Sequence, residues 1–276
     1  SSIGHSGAIN VTSTTGSVHF TAGTGIDSQA RIGHGGANVR GDHHGDIAVS
    51  GATGIELIGG NGGTRALAQI GHGGGAINAN LSGNIFLNLD PLTGSPKGGG
   101  AILVNGGSGT DGAYAQVGHG GIGASGSYLG EIRGYGESLA LNAGTADQAY
   151  VLLGHGGISA TGAKNSNITL ETVGGITLTS SATGSQAFAQ IGSGGILSNG
   201  NVTGAITLTS GGSLSLQGGA VASTYALVGH GGLASSGQLT GNIAATIGGG
   251  IDVLGGGIAG DGLIGGDNFA QIGHSL

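Results

Sequence analysis

Cysteine, methionine and tryptophan are absent from the 276 residues, proline occurs twice, and charged residues make up only 7% and aromatics 3%. Without cysteine there is neither a disulfide framework nor a thiolate metal site, although the compartment is not fixed by this alone. With no methionine, residue 1 is not a translation start, and the chain reads as a processed product or a piece of something longer. So little proline excludes collagen, in which glycine recurs strictly every third residue beside abundant proline. Thirteen acids against six bases give a net charge of −7 with no basic stripe, so nucleic acid is not an expected partner. No apolar run approaches the roughly 18 residues of a membrane span, and no positively charged leader with an apolar core opens the sequence.

What is abundant is glycine, 70 residues of it. Glycine inside a helix costs about 1 kcal/mol relative to alanine, so this chain must be built from extended segments and turns. Disorder fits poorly, because 37% of the residues are hydrophobic and the Ile, Val and Leu fall in short alternating runs.

One phrase recurs: Ile32-Gly33-His34-Gly35-Gly36, Ile70-Gly71-His72-Gly73-Gly74, Val117-Gly118-His119-Gly120-Gly121, Leu153-Gly154-His155-Gly156-Gly157 and Val228-Gly229-His230-Gly231-Gly232. Ile191-Gly192-Ser193-Gly194-Gly195 keeps the frame with serine, and Ile3-Gly4-His5-Ser6 and Ile272-Gly273-His274-Ser275 read as truncated copies. From His5 to His274 these markers delimit seven units averaging about 38 residues.

Each unit holds three short alternating runs, the period of a strand with a buried face. In one unit these are Asn167-Ile168-Thr169-Leu170, Gly175-Ile176-Thr177-Leu178 and Ala187-Phe188-Ala189-Gln190-Ile191. The expected fold is all-β: a single parallel β-solenoid (β-helix) over residues 1–276, with about seven coils of three short strands each. Residues 88–112, which include Pro91 and Pro96, are expected to form a protruding loop insertion.

Tandem units of short β-runs, Gly-rich turns and recurring Ala-Gln-Ile-Gly-His-Gly phrases resemble the filamentous-haemagglutinin class of bacterial surface proteins, the β-helical passengers of two-partner secretion and autotransporter adhesins. The resemblance covers the full chain. It implies a secreted, extracellular or cell-surface location and a structural or adhesive role, and it brings no catalytic residues.

The markers place His5, His34, His72, His119, His155, His230 and His274 in one repeat-corner column. Imidazoles in a ladder suit transition metals, but serine at position 193 is a poor ligand and a good turn cap, so a structural role with no metal is the expectation. Weak metal candidates are Asp42, His43, His44 and Asp46 in one polar corner. If Ile70, Val117 and Ile191 point inward, strand parity turns Leu67, Tyr114, Tyr150, Phe188, Tyr225 and Phe269 outward, with Gln69, Gln116, Gln190 and Gln271 beside them. That stripe would serve a lateral protein contact or stack on glycan.

Asp252 and Asp261 faintly suggest a calcium-binding roll, and Thr177, Thr179, Thr207 and Thr209 an ice-binding array. Asn10, Asn80, Asn167 and Asn201 stand in glycosylation-type triplets that composition alone produces. Catalysis is not expected, since Arg31, Arg40, Arg65, Lys97, Arg133 and Lys164 are scattered among the coils and no acid pair recurs. No cofactor is implied. The leading expectation is a structural subunit of an extracellular bacterial fibre, stacking head to tail on itself through open solenoid ends. The alternative is an adhesin passenger segment that binds glycan or cell-surface matrix through the aromatic stripe.

Overall fold

The computed structural model describes residues 4–257 and 267–276. The chain winds as a parallel β-solenoid of seven coils, and strands from successive coils form four seven-stranded sheets that run the length of the rod. Among the described residues there is no helix. Coil 5 shows the plan: Lys164–Asn165 in sheet 1, Ile168–Thr172 in sheet 2, Ile176–Thr179 in sheet 3 and Ala189–Ile191 in sheet 4.

Each coil thus has four strands rather than the expected three. The additional one is only two residues long, and two residues cannot display an alternation. A second correction concerns 88–112. Only its first half leaves the rod, as a turn closed by a bridge between Leu89 and Pro96. Ala101–Asn105 is the sheet-3 strand of coil 3, with Ile102 and Val104 buried, because Ala-Ile-Leu-Val-Asn carries the same alternation as its neighbours.

Register is exact from coil to coil. Ile9, Ile47, Ile85, Ile132, Ile168, Ile206 and Ile243 pair successively into one column of seven isoleucines in sheet 2. With the inward residues of sheets 3 and 4 they form the main core, in which each coil covers the apolar side of the one before. A parallel ladder puts like residues one strand spacing apart, about 4.8 Å, so identical β-branched side chains interlock without gaps.

A second, smaller core lies on the other side of sheet 4. After the His-Gly-Gly corner the chain folds back across that sheet and delivers Ile122, Ile158, Ile196 and Leu233 in mutual register. Sheet 4 is therefore sandwiched, and its strands are buried on both faces. A third cluster, including Ile77, Leu81 and Tyr128, packs beneath sheet 1.

Candidate functional site

The second core overturns the outward parity of the aromatic stripe. Leu67, Tyr150, Phe188 and Tyr225 are wholly buried and Tyr114 is 1% exposed, while Phe269 in the last coil is half-buried. The five rings form one continuous stack, with centroids 4.6–4.9 Å apart and planes within 9° of parallel.

Burial of the stripe requires partners for the amides of the glutamines beside it, and the markers supply them. The Nε2 of Gln69 donates to Gly118 O and Gly120 O, that of Gln116 to Gly154 O and Gly156 O, and that of Gln190 to Gly229 O and Gly231 O, all at 3.0–3.3 Å. Gln271, in the last coil, donates to His274 O. Tyr150 and Tyr225 in turn donate their hydroxyls to Oε1 of Gln116 and Gln190. Glutamine and tyrosine here are interior carbonyl and amide partners, not a contact surface.

The imidazole column exists, with one change of membership. His5 pairs in register with His43 in sheet 1, so it belongs to a different column, the one continued by Leu81, Tyr128, Lys164, Val202 and Leu239. Ile3 lies outside the described residues, and the short first spacing, with no Gly-Gly after His5, reflects the different position.

The true column is His34, His72, His119, His155, Ser193, His230 and His274. In it, each backbone N–H from His34 to His230 donates to the side chain one coil on. His34, His72 and His119 donate to the Nδ1 of the next histidine at 3.0 Å, His155 donates to Ser193 Oγ, Ser193 donates to His230 Nδ1, and His230 to His274 Nδ1. Each Nε2–H donates to a glycine carbonyl on the sheet-1 corner, from His34 to Gly7 through His274 to Gly241, at 2.8–3.0 Å. Adjacent rings stack 4.6–5.1 Å apart.

This bonding fixes the neutral tautomer with its proton on Nε2, because Nδ1 must offer a lone pair to an amide. Burial pulls His72, His155 and His230 down to about 4, the positive charge of Lys164 at His155 and of neighbouring imidazoles adding to it, and holds His119 well below the ordinary range. Both nitrogens of every inner ring are engaged, so no lone pair remains for a metal ion.

The single serine has a reciprocal change that sequence reading missed. The carbonyl column facing the imidazoles runs Gly45, Gly83, Gly130, Ser166, Gly204, Gly241, so the coil with Ser in place of His also has Ser in place of Gly. Ser166 and Ser193 are both buried, so an imidazole at position 193 would have to be accommodated beside a corner side chain that the other coils lack. Ser193→His alone is expected to destabilise the protein by about 2 kcal/mol through overpacking. Adding Ser166→Gly should recover at least about 1 kcal/mol, a coupling that a double-mutant cycle in urea would measure.

The polar corner disperses. Asp42 and Asp46 accept the backbone N–H groups of Asn80 and Asn84 one coil on, His44 lies by Ser82 Oγ, and His43 turns inward with its Nδ1 3.3 Å from that of His5. Among the described residues no group of three His, Cys, Asp or Glu side chains is placed to hold a metal. The hydrogen bond from the Asn80 amide holds the Asp42 carboxyl below its usual range, and burial does the same to the His43 imidazole. The glycosylation-type asparagines Asn80, Asn167 and Asn201 do the work of Asp42, each Oδ1 accepting an amide from the following coil. Asp261 lies outside the described residues.

Lys164 is one residue that spacing alone did not mark. It occupies an inward position of sheet 1, 1% exposed, with Nζ donating to the carbonyls of Ala160, Gly162 and Asn199 and lying 5.6 Å from the Tyr128 ring centroid. Burial lowers it to about 8, but three carbonyl acceptors suit the ammonium, which persists at neutral pH. Compared with protein families, curated proteins and solved structures, the chain has no match.

Proposed function

We propose that this solenoid is a structural subunit of an extracellular bacterial fibre, in which a second copy continues the coils head to tail. The observation that carries this reading is the last coil. Its sheet-3 strand Ile251–Leu254 keeps the inner register, yet Ile251 and Val253 are 52% and 42% exposed, whereas Leu214 and Leu216 beneath them are wholly buried. The first coil offers the matching half, with Val18 and Phe20 in the same two columns.

A junction in register would set Ile251 over Val18, Val253 over Phe20 and Ile272 over Ile32. Asp252 would meet His19, which already faces Glu56 from the other side at 2.9 Å. Among the described residues the His274 amide has no acceptor and His34 Nδ1 no donor, and the same junction pairs them. Unpaired strand edges over an apolar cross-section are templates for further pairing, and a heterologous contact of this kind propagates. The glycan-binding alternative relied on an outer aromatic stripe, and those rings lie in the interior.

Electron microscopy of the purified chain, without added partner, tests the proposal. Filaments with a subunit rise of about 34 Å, seven coils at the strand spacing, are the expected result. Short rods that stay monomeric at high concentration would overturn it.

A further inference from the structure

An asparagine followed by glycine is open to attack on its side-chain amide by the next backbone nitrogen, because glycine has no Cβ to hinder the approach. The chain holds three such pairs, Asn61-Gly62, Asn105-Gly106 and Asn199-Gly200. They carry the same chemistry in different surroundings.

The Gly106 N–H donates to Asn142 O at 2.8 Å and the Gly200 N–H to Ser236 O at 2.9 Å, so both nitrogens are tied into the ladder between coils. Asn105 is also half-buried, and its Oδ1 accepts Nδ2 of Asn142 at 2.9 Å. Asn61 and Gly62 are both exposed, in the bend that joins the sheet-3 strand Gly54–Ile58 to the sheet-4 strand Ala68–Ile70. Among the described residues the Gly62 N–H has no acceptor, and neither do those of Asn61 and Gly63 on either side. Asn199 is exposed like Asn61, so the two differ chiefly in whether the attacking nitrogen is bonded.

We propose that Asn61 is a site of spontaneous modification, converted through a succinimide to aspartate and isoaspartate, while the ladder holds Asn105 and Asn199 as asparagine. Solvent base takes the Gly62 amide proton, and the nitrogen attacks Asn61 Cγ. The N–Cγ bond forms and the Cγ–Nδ2 bond breaks, releasing ammonia, which takes its last hydrogen from solvent. Water then adds to either carbonyl of the ring and opens it, leaving a carboxylate. Nothing is oxidised or reduced, and solvent supplies the base, the proton and the water. The product adds a negative charge to an exposed bend of coil 2 without an enzyme. The inference is independent of the fibre proposal.

The test is incubation of the intact chain at pH 7.5, with samples taken over time for peptide mapping by mass spectrometry. Cleavage after Arg40, Arg65, Lys97, Arg133 and Lys164 puts the three asparagines in separate peptides. A ladder bond must open before its nitrogen is free to attack, so Asn61 should convert at least about tenfold faster than Asn105 or Asn199. In guanidinium chloride, with the ladder gone, the three rates should converge to within about threefold. Asn61→Gln changes only an exposed side chain, and its longer arm closes the ring far less easily. It should remove the acidic form that accumulates in the native chain, as read by isoelectric focusing. Conversion at Asn61 no faster than at Asn199 would overturn the proposal, as would an acidic form that accumulates unchanged in folded Asn61→Gln. An advantage for Asn61 that persists undiminished in denaturant would overturn the role assigned to the ladder.

Discussion

Acidification from pH 7.5 to 4 is expected to remove on the order of 9 kcal/mol of folding stability through three side chains alone, His72, His155 and His230. Each is neutral in the folded rod, with its pKa drawn down to about 4 by burial. In the unfolded chain each titrates near 6.5. Above pH 6.5 neither state binds the proton, and the contribution is fully present. As the pH falls below 6.5 the unfolded chain takes up protons that the folded chain refuses, so stability is lost progressively until the folded rings titrate near pH 4.

A gap of about 2.5 pKa units is worth roughly 3 kcal/mol per ring over that range. His119, also held well below the ordinary range by burial, adds to the loss. The sum is comparable to the whole stability of an ordinary domain, about 5–15 kcal/mol, so the rod should unfold between pH 6 and 4. Protonation also places a hydrogen on Nδ1, where the amide of the preceding coil already points its own. Urea midpoints measured at half-unit pH steps would check this, and a midpoint unchanged down to pH 4 would refute the buried neutral ladder.

The second large effect is expected from one methyl group. Gly118, in the middle of the marker column, has φ +148°, and a Cβ built there would lie 1.9 Å from Gly154 O on the next coil. That oxygen is backbone in a stack held on both sides, so it cannot withdraw without breaking ladder bonds. Gly118→Ala is expected to cost about 5 kcal/mol or to prevent folding outright. Gly123→Ala separates the backbone penalty from the clash: φ there is +66° and nothing lies within 4 Å of the added Cβ. Its cost should be only about 1–2 kcal/mol, the ordinary penalty for an L-residue in the left-handed region. Thermal unfolding of both variants at pH 7.5 decides the matter; similar losses would mean that coil spacing is more yielding than the geometry implies.

The repeat made the solenoid legible, because a fixed period of short alternating runs has few folded solutions and the isoleucine column follows from it directly. The two-residue strands such as Lys164–Asn165 were not legible, since a strand is recognised by alternation and two residues have none. The orientation of Tyr150 and Phe188 was misread for a related reason. Parity assigns one face in and one face out, whereas sheet 4 is covered on both sides by chain that returns after the glycine corner. The signal was present in Ile122, Ile158, Ile196 and Leu233, each three residues past a marker His or Ser, a recurrence that makes sense only if something apolar lies opposite. Gln116 concealed the burial, because its partners are backbone carbonyls of the next coil, which no side-chain pattern displays. The pairing of Ser193 with Ser166 was hidden by distance, as 27 residues separate them in sequence.

The imidazole ladder gives the rod an arrow. Each amide from His34 to His230 points its hydrogen toward the following coil, and each side-chain acceptor from His72 to His274 receives from the preceding one, so the bonds run one way along the axis. Among the described residues one extremity of the ladder therefore presents a lone pair on His34 and the other a hydrogen on the His274 amide. Two rods meeting by like extremities would oppose lone pair to lone pair or hydrogen to hydrogen, which disfavours mirror-fashion dimers. Any assembly that continues the column must have unlike tips, and unlike tips elongate at unequal speeds, an asymmetry that time-lapse imaging would show in filaments of the proposed kind.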